Sequence, residues 1–227
     1  MEAEVELTRN FVTDFDVMVR GLARKYDGPP YSFSRFGDGE LAVINGSRYA
    51  AHADRWYVEG WTKWRRPLLD ALAYVEHQWH VGLTARDHDA DVHNELMALC
   101  WSPRERVTFA ELFIFGNYQR FAALDLSSCC IVSHCNGHVT IPAQAIMQDW
   151  DHRYVVDYLI ANVRQPILVA AGPLAAVIIH DYWQRADNKR QVILDVGSAI
   201  DPQTRNRNTR RYHKEGSDLQ KRVLEFN

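Results

Sequence analysis

An α/β fold, built on a mostly parallel sheet flanked by helices, is what this 227-residue sequence predicts, and three observations carry the prediction. Apolar runs in "CCIVSHCNG" and "PILVAAGP" break at a glycine, and "VILDVGS" reads as a last strand. Such near-continuous runs suit strands buried on both faces of a parallel sheet. Helix-compatible stretches alternate with them along the chain, without internal repeats or low-complexity linkers, which favours one layered unit over residues 1–227.

The elements follow in order. Residues 5–26 place Phe11, Phe15, Met18, Val19 and Leu22 at helical spacing, and Asp27-Gly28-Pro29-Pro30 stops that opening helix. Residues 31–36 alternate as a strand. Residues 40–45 continue as a helix for which Asp38 is the expected cap. A capping box from Asp38 would want Glu or Gln at the position of Leu41, so this start is not an ideal cap. Residues 68–79 read as a helix, 80–83 as a short strand, 91–101 as a helix ending before Pro103, and 112–115 as the next strand. The three apolar runs complete the sheet, and a basic segment, 203–227, closes the chain.

A composition of 47% hydrophobic and 24% charged residues, with a net charge of −3, describes a globular chain with no global pull toward nucleic acid or anionic membrane. The opening MEAEVELTRN lacks an apolar core, and the longest apolar run is broken at Gly172-Pro173, so a cytoplasmic protein with no membrane partner is expected. Cys100, Cys129, Cys130 and Cys135 suggest no disulfide framework in that setting. His134 and His138 lie near three of them, yet no second ligand pair at zinc-finger spacing follows, and buried thiols are the favoured reading.

The chemistry concentrates at predicted strand ends, where open α/β sheets bind ligands. In "RFGDGE", Asp38 and Glu40 flank a glycine and can both face one hard cation, Mg²⁺ or Mn²⁺, leaving open positions for a diphosphate that Arg35 would also contact. The competing reading is structural: a cap at Asp38 and a favourable helix dipole for Glu40. "AAGP" offers backbone N–H groups at a helix start, and "DVGSAID" places Asp195 at a third strand end. His134, with Asn136 and His138, follows the "CCIV" strand and could act as a base near neutral pH. Asn117 reads as a turn former or a nucleotide contact.

These motifs together resemble the GT-D fold glycosyltransferases, a nucleotide-sugar-dependent family, over most of residues 31–202. "FSRFGDGEL" carries the family's Asp-x-Glu stretch, and "ILVAAGPLAAVIIHDYW" and "VILDVGSAIDP" its later Gly-Pro helix start and Asp-x-Gly strand end. The resemblance implies a Rossmann-like GT-D fold and sugar transfer from a nucleoside-diphosphate donor, UDP-sugar first among them. It makes Asp38 and Glu40 the metal pair. Arg35, Gly37, Gly172, Gly197 and Ser198 become donor-binding residues and Asp195 a catalytic candidate, beside His134, which its own position after the "CCIV" strand puts forward. Position 198 departs from the histidine common in the family.

Two patches bear on the acceptor. "RWYVEGWTKWRR" interleaves Trp61 and Trp64 with basic residues, suited to stacking on sugars or bases, and "RNRNTRRYHK" holds Arg210, Arg211 and Tyr212 in a strongly basic run. An amphipathic helix and a solvated tail are their structural alternatives. An acceptor in viral DNA bearing hydroxymethylated bases is slightly favoured over a protein-linked or polysaccharide glycan. A metal-dependent phosphohydrolase and a non-catalytic nucleotide-binding module remain as other classes, and the pattern leaves the oligomeric state open.

Overall fold

The computed structural model describes residues 10–23, 26–46, 62–142 and 150–226. The first helix, α1 (Phe11–Val19), is capped by Asn10, whose side chain accepts from Val12 N and Thr13 N, and a 3₁₀ turn, Arg20–Leu22, extends it. Residues 5–9 and 24–25 of the expected opening helix lie outside the described residues. β1 (Ser32–Phe36) leads into α2 (Asp38–Asn45), then α3 (Thr62–Leu72), β2 (Trp79–Leu83) and α4 (Ala90–Leu99). β3 (Val107–Phe109), α5 (Tyr118–Ala122), β4 (Cys130–Ser133), β5 (Val139–Thr140) and α6 (Arg153–Asn162) follow. β6 (Ile167–Ala170), α7 (Leu174–Ala186), β7 (Ile193–Asp195) and α8 (Asp201–Arg205) complete the order.

Among the described residues the seven strands form one sheet in the order β3-β2-β1-β7-β6-β4-β5, and every pairing is parallel. The chain winds from β1 outward to β3, then fills the other side and returns to β7 beside β1. The winding therefore reverses between β1 and β7, the position where the loops after two neighbouring strands part and open a crevice. Phe33 pairs with Leu194 in register there.

Side-chain alternation along the strands feeds two cores. Phe36, Val81, Leu83, Val169 and Ile193 pack with α2, α3, α6 and α7 on one face. Phe33, Phe109, Leu168 and Leu194 pack with α1 and the aromatic segment 112–121 on the other. α7 is apolar nearly all round because it lies buried within the first core. No described helix is long and apolar enough to cross a membrane.

Three expected elements change. Trp79 belongs to β2, not to a preceding helix: it is fully buried and its backbone begins the ladder to β1. Residues 112–115 form turns, and the strand lies earlier, at β3; Phe115 has φ +52°, which no strand accommodates. The cap of α2 is Gly37, one residue before Asp38. Glu40 is then the third helical residue, and its Oε2 accepts the Gly37 N–H at 2.8 Å, the reciprocal half of a capping box.

The basic closing segment is no solvated tail. Gly116 N donates to Arg222 O at 2.9 Å, Leu224 is buried, and Phe226 meets Phe109 and His93 edge-on. This return pins the chain end across the aromatic core beneath β3.

Candidate active site

A cleft of about 220 Å³ opens at the carboxyl ends of β1, β2 and β3. Arg35 and Gly37 line it from the end of β1, Asp38 and Glu40 from the start of α2, and Thr84 from the end of β2. His88 and Asp89 enter from the turn before α4, and Ala110, Glu111 and Ile114 from the chain after β3. The expected gathering of chemistry at strand ends is thus realised for "RFGDGE".

Arg35 is the hub. It sits at the end of β1, and its Nη1 donates to Ala110 O at 3.2 Å, tying the β1 end to the β3 end. Its Nε stands 3.3 Å from Asp195 Oδ1, an ion pair that joins β1 to β7 across the winding reversal. Burial disfavours the guanidinium charge, but Asp195, Glu40 and Tyr212 together hold its proton affinity above the usual value. Asp195 Oδ1 also accepts Gly197 N at 3.0 Å. Burial pushes the Asp195 carboxyl up, against the pull of Arg35 and of that N–H.

Glu40 and Glu111 differ from ordinary carboxylates. Burial, reinforced by the Asp195 charge, pushes Glu40 up to about 7, although the Gly37 N–H and Arg35 oppose it. Burial likewise pushes Glu111 up to about 7, against hydrogen bonds from its own backbone and from Ala85 N, and against Arg35. Glu111 Oε2 accepts the Ala85 N–H at 3.1 Å. Asp38 is exposed, and its Oδ1 accepts Gly39 N at 2.9 Å.

The turn after β7 continues the site away from the cleft. Gly197 has φ +48°, and a Cβ there would stand 1.8 Å from Arg35 Nη2, so only glycine lets the guanidinium pass. Ser198 Oγ lies 2.5 Å from Tyr212 Oη, so residue 198 anchors the closing segment. His213 Nδ1 accepts Thr209 N and Arg210 N, both at 3.1 Å, which leaves Nε2–H to donate to Ser198 O at 2.9 Å. These partners select one neutral tautomer.

Protonating His213 would aim a third N–H at two donors, and burial already lowers its proton affinity. A histidine depressed in the folded state contributes its full stability above the unfolded value near 6.5 and loses it as pH falls below that. The unfolding midpoint should therefore fall more steeply between pH 7 and 5 in the wild type than in His213→Asn. Parallel slopes would contradict the role assigned to this imidazole.

Several expected site residues move. Asp195 does not line the cleft: its side chain is 3% exposed, paired with the Arg35 guanidinium as its counter-ion. His134 Nε2 lies 2.6 Å from the Arg205 guanidinium, which itself pairs with Asp201, so its basic nitrogen is occupied and stands outside the cleft lining. Gly172 begins the turn after β6 at φ +56°, on the same sheet edge but beyond the cleft lining. Trp64 is 4% exposed in the core, edge-on to His152, and presents no stacking face. Trp61 lies outside the described residues. Tyr212 is buried against Ser198, Tyr118 and His213, while Arg210 is partly and Arg211 fully at the surface. Asn117 is a structural residue: its Nδ2 donates to Phe11 O and Leu112 O.

Among the described residues no group of three or more His, Cys, Asp or Glu is placed to hold a metal ion. Cys129 and Cys130 are buried, and burial pushes the Cys129 thiol up to about 11. Asp38 and Glu40 do line one cleft together, and such a pair fits a cation that takes most of its ligands from a diphosphate and water. Glu111, Thr84 and His88 are the site residues that motif reading missed. A lone acid within "FAELFIF" is the signal that could have marked Glu111.

No family model matches this chain, and no curated protein sequence does either. Solved structures do match its fold. A structure described as a new glycosyltransferase (DUF1792) from Streptococcus sanguinis superposes with a TM-score of 0.56 at 14% identity, covering 96% of this chain and 93% of that one. A structure of the highly conserved domain of unknown function 1792, described as having a distinct glycosyltransferase fold, gives a TM-score of 0.51 at 13% identity, over 96% and 90% of the two chains. A selenomethionine-substituted structure of domain of unknown function 1792 gives 0.55 at 14%, over 96% and 89%. The all-parallel sheet with its flanking helices is thus the α/β glycosyltransferase fold of those structures.

Proposed function

We propose that this chain is a glycosyltransferase that moves a sugar from a nucleoside-diphosphate donor, UDP-sugar first among candidates, to an acceptor hydroxyl. The observation that carries the reading is the cleft itself: Arg35, Asp38 and Glu40 converge at the strand ends beside the winding reversal of a fold shared with proteins described as glycosyltransferases. Cleaving the anomeric bond builds negative charge on the departing diphosphate, and a fixed cationic group aimed at that charge lowers the barrier. Arg35 is held for this role by Asp195 from below and by Ala110 O from the side. Asp38 and Glu40 would hold Mn²⁺ or Mg²⁺, which supplies Lewis-acid stabilisation of the same diphosphate when bound.

The acceptor is a hydroxyl of a glycan. A second reading, a hydroxymethylated base in DNA, draws support from the exposed Arg207, Arg211 and Lys214, which suit a phosphate-bearing acceptor. Trp64, buried in the core, does not add to it.

The test is binding. A nucleoside diphosphate at about 100 times its dissociation constant contributes roughly 2.7 kcal/mol of stability. The wild type should show a raised unfolding midpoint with one of uridine, guanosine, thymidine or cytidine diphosphate together with Mn²⁺. Asp38→Asn and Glu40→Gln should fold and lose the metal-dependent part of that shift. An unchanged shift in both variants would remove the pair from the donor site.

A further inference from the structure

The carboxylates of the cleft divide by what already occupies them. Asp38 and Glu40 take the Gly39 and Gly37 N–H groups at the start of α2, beside Arg35, and belong with the donor. Asp89 is exposed and caps α4 by accepting Val92 N. Asp195 lies beneath Arg35, outside the lining. Glu111 is different. It is 5% exposed yet lines the cleft, and it stands after β3, two strands from the donor wall.

A carboxylate buried in an apolar run is costly unless its surroundings hold it. Here one backbone N–H, from Ala85, fixes Glu111 Oε2. The end of β3 is in turn fixed to β1 by the Arg35 bond to Ala110 O. Glu111 is therefore held in the turn directly after β3, lining the same cleft as the donor residues.

We propose that Glu111 takes the proton from the acceptor hydroxyl, an assignment that rests on the transferase reading above. In that step the acceptor oxygen forms a bond to the anomeric carbon, and the bond from that carbon to the diphosphate oxygen breaks. The electron pair leaves with the diphosphate, and the hydroxyl proton ends on a Glu111 oxygen. Acting as a base opposite the leaving group, Glu111 implies an inverted anomeric centre in the product. The groups facing it are Arg35 from β1, Glu40 from α2, Asp87 and His88 from the turn after β2, and Asp89 at the start of α4. Burial keeps its proton affinity near neutral, where a base is effective at physiological pH. His88 is the weaker candidate, since burial and Arg222 lower its affinity and the Arg222 guanidinium stands 3.3 Å from its Nδ1.

Water can serve as the acceptor in the test, so no natural acceptor is required. Wild type, Glu111→Gln and Glu111→Asp are incubated with Mn²⁺ and UDP-, GDP-, dTDP- and CDP-sugars. Nucleoside diphosphate release is followed from pH 5 to 9, and nucleoside diphosphate affinity is measured by calorimetry. Gln keeps a carbonyl for the Ala85 N–H. Glu111→Gln should bind nucleotide as the wild type does, with turnover reduced about 100-fold or more and the Glu111 part of the acid limb lost, the limb set by Glu40 remaining. Glu111→Asp should keep the acid limb at a reduced rate. Turnover of Glu111→Gln within about 3-fold of an active wild type would overturn this assignment alone, as would loss of nucleotide binding together with turnover. A wild type that neither binds nor cleaves any sugar nucleotide overturns the transferase reading, and this assignment with it.

Discussion

Asp195→Ala is expected to destabilise the protein by about 3 kcal/mol, the lower end of what removing one partner of a buried ion pair costs. The lower end applies because the Arg35 side chain is 20% exposed while Asp195 is 3% exposed. Two groups lose their acceptor at once: the Arg35 guanidinium and the Gly197 N–H. For a domain of this size the unfolding midpoint should drop by roughly 10 °C, at about 2–4 °C per kcal/mol. Asp195→Asn should recover part of the loss, since its amide oxygen can still accept Gly197 N. Pairing Arg35→Leu with Asp195→Leu should recover the part of the loss due to the uncompensated charge, but not the part due to the orphaned Gly197 N–H, and should leave no nucleotide binding because the diphosphate contact is gone. Chemical denaturation of the set checks this, and a wild-type midpoint for Asp195→Ala would contradict the counter-ion role.

Gly197→Ala should damage the site more than the fold. At φ +48° a side chain costs on the order of 1–2 kcal/mol. The larger effect is steric: a Cβ 1.8 Å from Arg35 Nη2 must push the guanidinium away from Ala110 O and Asp195. Because Arg35 is proposed to meet the donor diphosphate, nucleotide affinity should fall at least about tenfold, the equivalent of about 1.4 kcal/mol. Titration calorimetry reads this directly. Unchanged affinity would mean that Arg35 does not touch the nucleotide.

The alternation of strands and helices was legible because buried parallel strands are written as apolar runs, and β4, β6 and β7 lie inside theirs. Where two signals share one run, the sequence is ambiguous. "VTFAELFIF" contains a three-residue strand and an aromatic turn, and no periodicity separates them; only the left-handed Phe115 backbone does. Trp79 follows a helical stretch and reads as its continuation, yet its ring is needed in the core beside Tyr74 and His180.

At the site, "RFGDGE" was visible because two acids around a glycine at a strand end are chemically conspicuous. The cap was misplaced by one residue because glycine carries no capping side chain, and Glu40 does the reciprocal work from the helix. Asp195 was found, but its partner Arg35 lies 160 positions away in sequence order, and their pairing needs β1 and β7 to be neighbours. Trp64 illustrates the opposite error: basic neighbours suggested an open platform, whereas helical periodicity turned the ring into the core and left Lys63 outside.

The most direct test of the central claim is the fate of a sugar nucleotide mixed with the wild-type protein and Mn²⁺, followed by chromatography for released nucleoside diphosphate and for the sugar. The account predicts release of one nucleoside diphosphate from its sugar conjugate, accelerated by a glycan or hydroxymethylated-DNA acceptor that gains the sugar, and absent in Arg35→Leu. Intact donor under every combination, or release that Arg35→Leu leaves unchanged, would contradict it.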